Sequence, residues 1–271
     1  MLVFPNAKIN LGLNVVEKRP DGYHNIETVL YPVAGLCDAL EVVQATKLKF
    51  NASGIAIDGN AGDNLVVKAY KLLQNDFDLP LVHIHLRKNI PFGAGLGGGS
   101  SDAAFMLRLL NEKFSLNLST STLENYARKL GADCPFFIQN KPVFAAGTGD
   151  IFQNITMKSL KNYFLLLVKP EVFVSTANAY KTVQINNISQ SAAEIVKLPM
   201  ERWKILLKND FEQGIFALYP QIAAIKNKMY ETGAIYASMS GSGSTVYGIF
   251  KELPDNLGQY FQDCFVWQEN L

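Results

Sequence analysis

Five of the seven residues Gly93-Ala94-Gly95-Leu96-Gly97-Gly98-Gly99 are glycine. Glycine weakens helix and strand interiors alike, so this run reads as a loop whose backbone can approach another group closely. It follows Leu81 to Leu86, which reads as a strand, and it begins after Pro91. It ends on Ser100-Ser101-Asp102, ahead of an apolar helical run from Ala103 to Leu110. Small hydroxyls and a carboxylate sit where a helix start favours them. Such a loop lets backbone N–H groups converge on one anion, and the helix N-terminus adds roughly half a positive charge. The segment is expected to hold phosphate.

Familiar phosphate motifs narrow the choice. The pattern Gly-x-x-x-x-Gly-Lys-Ser/Thr is absent, so this is not a Walker-type P-loop. Gly93-x-Gly95-x-x-Gly98 matches the dinucleotide fingerprint in letters, but no regular βαβ series frames it. A protein-kinase glycine loop needs His-Arg-Asp and Asp-Phe-Gly downstream, and neither occurs. A second small-residue run, Ser240-Gly241-Ser242-Gly243-Ser244-Thr245, precedes the strand-like Val246 to Phe250. Two such loops suit a nucleotide and an acceptor.

Composition excludes other classes. With 25 Lys+Arg against 24 Asp+Glu, the chain lacks the basic excess of a nucleic-acid binder. No apolar run reaches the length of a membrane span, and the N-terminal residues carry no secretory pattern, so a cytoplasmic protein is expected. The 3 scattered cysteines fit reduced thiols. His83 and His85 share a strand face without Cys or carboxylate partners at metal-ligand spacing, so no protein-held metal is expected.

Residues 7–16 alternate as a strand, with Ile9, Leu11, Leu13 and Val15 on one face and Lys8, Asn10 and Asn14 on the other. Asp63-Asn64 can cap a helix carrying Leu65, Ala69, Leu72 and Leu73. Ser121-Thr122-Leu123-Glu124 has capping-box spacing, and its helix is expected to run to Gly131. Helical patterns recur at 191–208 and 220–231. Strands and helices mix without βαβ alternation, which favours α+β. Phosphoryl transfer needs a group to take the acceptor's proton. Asp133, in irregular backbone before Pro135, is a candidate, as is Lys8 among its apolar neighbours.

Three motifs together resemble the GHMP small-molecule kinases. They are Ala7-Lys8-Ile9-Asn10-Leu11 with Arg19-Pro20-Asp21-Gly22-Tyr23-His24, then Pro91 to Ala104, then Ser240 to Ser244. The resemblance implies an α+β two-lobed fold, with a ribosomal protein S5-like N-terminal lobe and a ferredoxin-like C-terminal lobe. Residues 1–155 would form the ATP-binding and catalytic lobe, and 156–271 the substrate lobe. It implies ATP as phosphoryl donor with Mg²⁺, and small-molecule partners only, the protein being a monomer or homodimer. The first motif points, by the same resemblance, to the 2-hydroxyl of 4-diphosphocytidyl-2-C-methyl-D-erythritol, an isoprenoid precursor, as acceptor.

Carried over residue by residue, the resemblance assigns the ATP phosphates to Pro91, Phe92, Gly93, Ala94, Gly95, Leu96, Gly97, Gly98, Gly99, Ser100 and Ser101, and the nucleotide base to Asn64. Asp133 would accept the substrate's proton, with Lys8 steadying the carboxylate and the transferred phosphoryl group. Tyr23, His24 and Tyr180 would clamp cytidine, Asn10 and Thr176 would lie at the diphosphate or erythritol end, and Gly241 and Ser242 beside the acceptor. Leu30 stands where an aromatic often lines the cytidine site, next to Tyr31. Rival readings are another GHMP kinase with a mevalonate-type, homoserine or sugar acceptor, a non-catalytic ligand sensor, and, weakest, a nicotinamide oxidoreductase.

Overall fold

A computed structural model describes residues 1–56, 60–157, 159–185 and 190–271. In chain order the first strands are β1 (Leu2–Val3), β2 (Asn6–Lys18), β3 (His24–Cys37), β4 (Ala39–Gln44) and β5 (Lys49–Gly54). Then come α1 (Leu65–Gln74), β6 (Val82–Lys88), α2 (Gly98–Lys113), α3 (Thr120–Arg128), α4 (Phe136–Gln139), β7 (Val143–Ala146), β8 (Ile151–Asn154) and β9 (Phe164–Pro170). The remainder is α5 (Thr176–Thr182), α6 (Ala192–Ile195), α7 (Trp203–Leu206), α8 (Phe211–Leu218), α9 (Pro220–Glu231), β10 (Tyr236–Met239), β11 (Val246–Phe250), α10 (Leu257–Tyr260) and β12 (Cys264–Asn270).

The chain forms two compact units. One comprises Met1–Lys8, Pro32–Phe92 and Gly97–Lys141; the other comprises Ile9–Tyr31, Gly93–Leu96 and Pro142–Leu271.

In the first unit the sheet runs β1-β4-β6-β5, antiparallel except for the parallel pair of β5 with β6. Helices α1, α3 and α4 all pack on α2. Asn64 caps α1 as expected, its side chain accepting from the Val66 N–H at 3.0 Å. The buried face of α1 is Val66, Val67, Ala69, Tyr70 and Leu73, with Leu65 and Leu72 at its margin. Helix α2 begins at Gly98, earlier than the apolar pattern from Ala103 suggested. A Cβ at Gly98 would stand 3.0 Å from Ile90 Cγ2, so a side chain there would have to push Ile90 aside. The cap of α3 is Ser119 and not Ser121: its Oγ accepts from the Thr122 N–H at 3.2 Å. The helix stops at Arg128, short of Gly131.

The second unit has an antiparallel sheet of order β10-β11-β9-β12, with Val246 opposite Val168. Helices α8 and α9 cover it, and its core includes Val168, Phe211, Ile215, Ile222, Met229, Met239 and Phe250. The 191–208 pattern breaks into short turns around Pro199, while α8 arises where no helix was expected. Gly214 lies inside α8 because a Cβ there would collide with Thr182 of α5, a case of packing overriding helix propensity.

A third sheet, β2-β3-β7-β8, contains the strand of Lys8 and Asn10. The first eight residues of β2, Asn6 to Leu13, are all buried, so the polar face expected there is not solvated. Both side chains lie inside the protein, where a polar group must find partners.

Candidate active site

Lys8, 3% exposed as a residue, ends the first segment of its unit, and its ammonium needs a counter-charge. Asp133 supplies one, from the turn between α3 and α4: Lys8 Nζ lies 3.5 Å from Asp133 Oδ2. The carboxylate's side chain is 39% exposed, so it can meet a ligand that Lys8 alone could not reach. Gly97, the residue before α2, has φ +70°, and a Cβ on it would come within 3.0 Å of both Lys8 Cγ and Phe137 Cζ. Only glycine lets the start of α2 sit on the catalytic candidates. Gly98, Gly99 and Ser100 then present N–H groups that no helical carbonyl can use. Burial pushes the neighbouring Cys134 thiol up to about 12, leaving it unreactive. Leu65, next to Asn64, comes 3.7 Å from a Cβ placed on Gly99. Lys8, Asp133, Asn64 and the foot of α2 therefore converge within one unit.

In the second unit the two small-residue loops pack on each other. Ala94 O accepts from the Thr245 N–H at 3.2 Å, and Gly95 O accepts from Ser240 Oγ at 2.9 Å. Gly95 has φ +75°, and a side chain there would strike the Ser240 carbonyl. Asn10 is tied into the same assembly: its N–H donates to Ser240 Oγ at 3.3 Å and its Nδ2 to Thr28 Oγ1 at 3.1 Å. Tyr247 donates to the Asn10 carbonyl at 2.8 Å. Thr176 and Ser242 share a hydroxyl contact of 3.1 Å.

His24 and Tyr180 stack with centroids 4.7 Å apart and planes at 20°. Phe211 meets Tyr180 edge-on at 4.9 Å. The two rings touch, so they form one platform and leave no slot between them for a base. Burial, then the Lys18 charge, lower the His24 pKa, which favours the neutral ring. Tyr23 is 68% exposed on the preceding turn. Leu30 points into the core opposite Val143, and Tyr31, next along the strand, faces the other way.

Comparisons with known proteins show the family. The family model for the GHMP kinases N terminal domain matches residues 64–141, and that for the GHMP kinases C terminal matches 191–266. The chain is 54% identical over 275 residues to a 4-diphosphocytidyl-2-C-methyl-D-erythritol kinase of Bacteroides fragilis (strain YCH46), covering 100% of both. The chain belongs to this GHMP kinase family. A crystal structure of 4-(cytidine 5'-diphospho)-2C-methyl-D-erythritol kinase superposes with TM-score 0.80 at 28% identity, covering 100% of each chain. The Methanococcus jannaschii mevalonate kinase superposes at 0.72 with 15% identity, over 100% of this chain and 98% of that one, a likeness of fold alone. The α+β, two-lobed GHMP kinase fold expected from the motifs is thus the fold of this chain. As a GHMP kinase it draws its phosphoryl group from ATP. Among the described residues no helix is long and apolar enough to cross a membrane.

Two groups of residues escaped the motif reading of this kinase. Asn209 Nδ2 donates to the Met239 and Gly241 carbonyls, both at 2.8 Å, and its Oδ1 accepts from the Phe211 N–H at 3.0 Å. Asp210 beside it accepts from the Val15 N–H at 2.8 Å. Together they brace the second loop. Their signal was an Asn-Asp pair ahead of an apolar run, a helix start hidden by the poor helix former Gly214. The second group is Asp38, Lys88 and Asp102, buried together below the glycine loop.

Proposed function

We propose that this chain transfers the γ-phosphoryl group of ATP to the 2-hydroxyl of 4-diphosphocytidyl-2-C-methyl-D-erythritol, giving the 2-phosphate and ADP. The observation that carries the mechanism is the Lys8–Asp133 pair at 3.5 Å, set against the start of α2. Asp133 takes the hydroxyl proton as the oxygen attacks the γ-phosphorus. Lys8 stays protonated and offsets the negative charge that develops on the transferred group. The N–H groups of Gly98, Gly99 and Ser100 hold phosphate oxygens, and the α2 N-terminus favours their charge. Residues Pro91 to Leu96 complete that loop, and Asn64 lies toward the base.

The acceptor side uses the platform of His24 and Tyr180, with Tyr23 beside it, for cytidine. Because the two rings already stack, the base lies on an outer face of the pair. Thr176, Gly241 and Ser242 contact the diphosphate or erythritol portion. Asn10 acts chiefly by fixing Ser240 and Thr28.

Mg²⁺ suits this donor set as an ion held by ATP oxygens with few protein ligands. The Ser101 hydroxyl, buried without a hydrogen-bond partner, and the Asp133 carboxylate are hard oxygen donors of the kind it takes. When bound, the ion neutralises charge on the β- and γ-oxygens. Residues 1–155 then carry catalysis and ATP phosphates, while 156–271 contribute Thr176, Tyr180, Gly241 and Ser242 to substrate binding. The near-neutral charge speaks against nucleic acid as a partner, and the reading is of a cytoplasmic monomer or homodimer that takes small molecules. Steady-state assays of Asp133→Asn test the mechanism. ATP-dependent thermal stabilisation should persist while turnover falls by roughly 10²-fold or more; turnover equal to the parent enzyme removes Asp133 as base.

A further inference from the structure

The glycine loop leaves β6 at Lys88 and re-enters regular structure on α2, and a buried cluster joins its two ends. Lys88 Nζ donates to Asp102 Oδ2 at 2.7 Å and also to Asp38 Oδ2. Asp38 Oδ1 accepts from the N–H groups of Asn89 at 2.6 Å and Ile90 at 2.9 Å, the residues that lead into the loop. Asp102 lies one turn inside α2 and is 2% exposed. Its Oδ2 is engaged by Lys88, whereas its Oδ1 is buried without a partner. The start of α2 rests on the same lysine, since a Cβ at Gly98 would come 3.3 Å from Lys88 Nζ. The near end of the loop is thus tied through Asp38, the far end through Asp102, and Lys88 joins the two.

We infer that Asp38, Lys88 and Asp102 form a clasp that holds the two ends of the phosphate loop in register, with Lys88 and Asp102 as positioning residues for ATP. The inference rests on the kinase reading given above, in which this loop binds the ATP phosphates. One cation between two buried carboxyl groups leaves one negative charge uncompensated, a costly state in an apolar setting. In keeping with this, burial raises the Asp102 pKa to about 8, Lys88 opposing the rise and Asp38 adding to it. Burial pulls the Lys88 ammonium down, but Asp102 and Asp38 more than restore it, so it stays charged. Those two residues are the charged groups acting on Asp102.

The test uses the full chain with ATP, Mg²⁺ and 4-diphosphocytidyl-2-C-methyl-D-erythritol, and compares Asp102→Ala with Asp102→Asn. Asparagine keeps an oxygen that accepts from Lys88 and removes the negative charge. Asp102→Ala should raise KM for ATP by roughly tenfold with a smaller change in kcat, the signature of a misplaced binding loop. Asp102→Asn, which keeps an acceptor for Lys88, should hold KM for ATP within about twofold of the parent enzyme. Circular dichroism checks that each variant is folded, and should Asp102→Ala fail to fold, Lys88→Gln takes its place, with the same rise in KM for ATP expected. An unchanged KM for ATP in folded Asp102→Ala or Lys88→Gln, or a KM in Asp102→Asn raised as far as in Asp102→Ala, overturns the clasp. Failure of ATP to stabilise or turn over in the parent enzyme overturns the kinase reading itself, and the clasp with it.

Discussion

At the residue scale the proposed chemistry depends on two side chains with opposite exposure. Lys8 is enclosed and Asp133 is accessible, so the pair offers a fixed positive charge and a reachable base. Tyr180 has a different task. It stacks on His24 and meets Phe211 edge-on, which presents a rigid aromatic face. Tyr180→Ala is expected to raise KM for the cytidyl substrate with little change in kcat at saturation, because stacking contributes a binding term of about 1–3 kcal/mol. An unchanged KM in steady-state assays retires the platform. Lys8 and Asp133 were legible in the sequence because a lysine in an apolar strand and an aspartate before proline both break their local pattern. The mutual stacking of His24 and Tyr180 was not, since 155 intervening residues separate them and only tertiary packing brings them together.

Among the elements, the glycine loop and α2 are one device. The alternation of glycine and small apolar residues marked the loop, but two of its glycines belong to the helix. Residue type alone could not place that boundary, because Gly98 is favoured by its tight contact with Ile90, just past β6, and not by helix propensity. Gly97→Ala should raise KM for ATP and slow turnover together, since φ +70° strains any L side chain and the added methyl would press on Lys8 and Phe137. Kinetics of that variant like those of the parent enzyme would show that the close approach is dispensable. The second loop depends on Asn209. Asn209→Ala leaves the Met239 and Gly241 carbonyls without their donor and should cost about 1–3 kcal/mol in urea unfolding. A loss within error would place the anchoring of that loop elsewhere. The residues that brace the two loops escaped the motif reading because an anchor needs only a donor at the right distance, and distance is not written in one-dimensional spacing.

At the scale of the whole molecule, 25 basic residues against 24 acidic ones leave little net charge to attract two anionic ligands. Backbone N–H groups, a helix end and a few buried cations are left to compensate the phosphates. One consequence is global. Asp102 holds its proton in the folded chain up to about pH 8, while an unfolded aspartate loses it near 3.8. Across that window the native state binds more protons, so this group's contribution to stability falls as pH rises and is spent above about 8. Melting temperatures of the parent and Asp102→Asn, measured from pH 5 to 9, should diverge in the variant's favour as pH increases; parallel curves would assign the proton elsewhere. The two-lobed α+β fold was legible from motifs that span the chain, whereas the interleaving of the two units was not, because it is set by long-range strand pairing. The central claim concerns chemistry, and one assay addresses it most directly. Purified protein is supplied with ATP and Mg²⁺, and with 4-diphosphocytidyl-2-C-methyl-D-erythritol, mevalonate, galactose or homoserine in turn, and products are identified by phosphorus NMR. ADP and the 2-phosphate should form with the cytidyl acceptor alone; turnover confined to any of the other three would contradict the account.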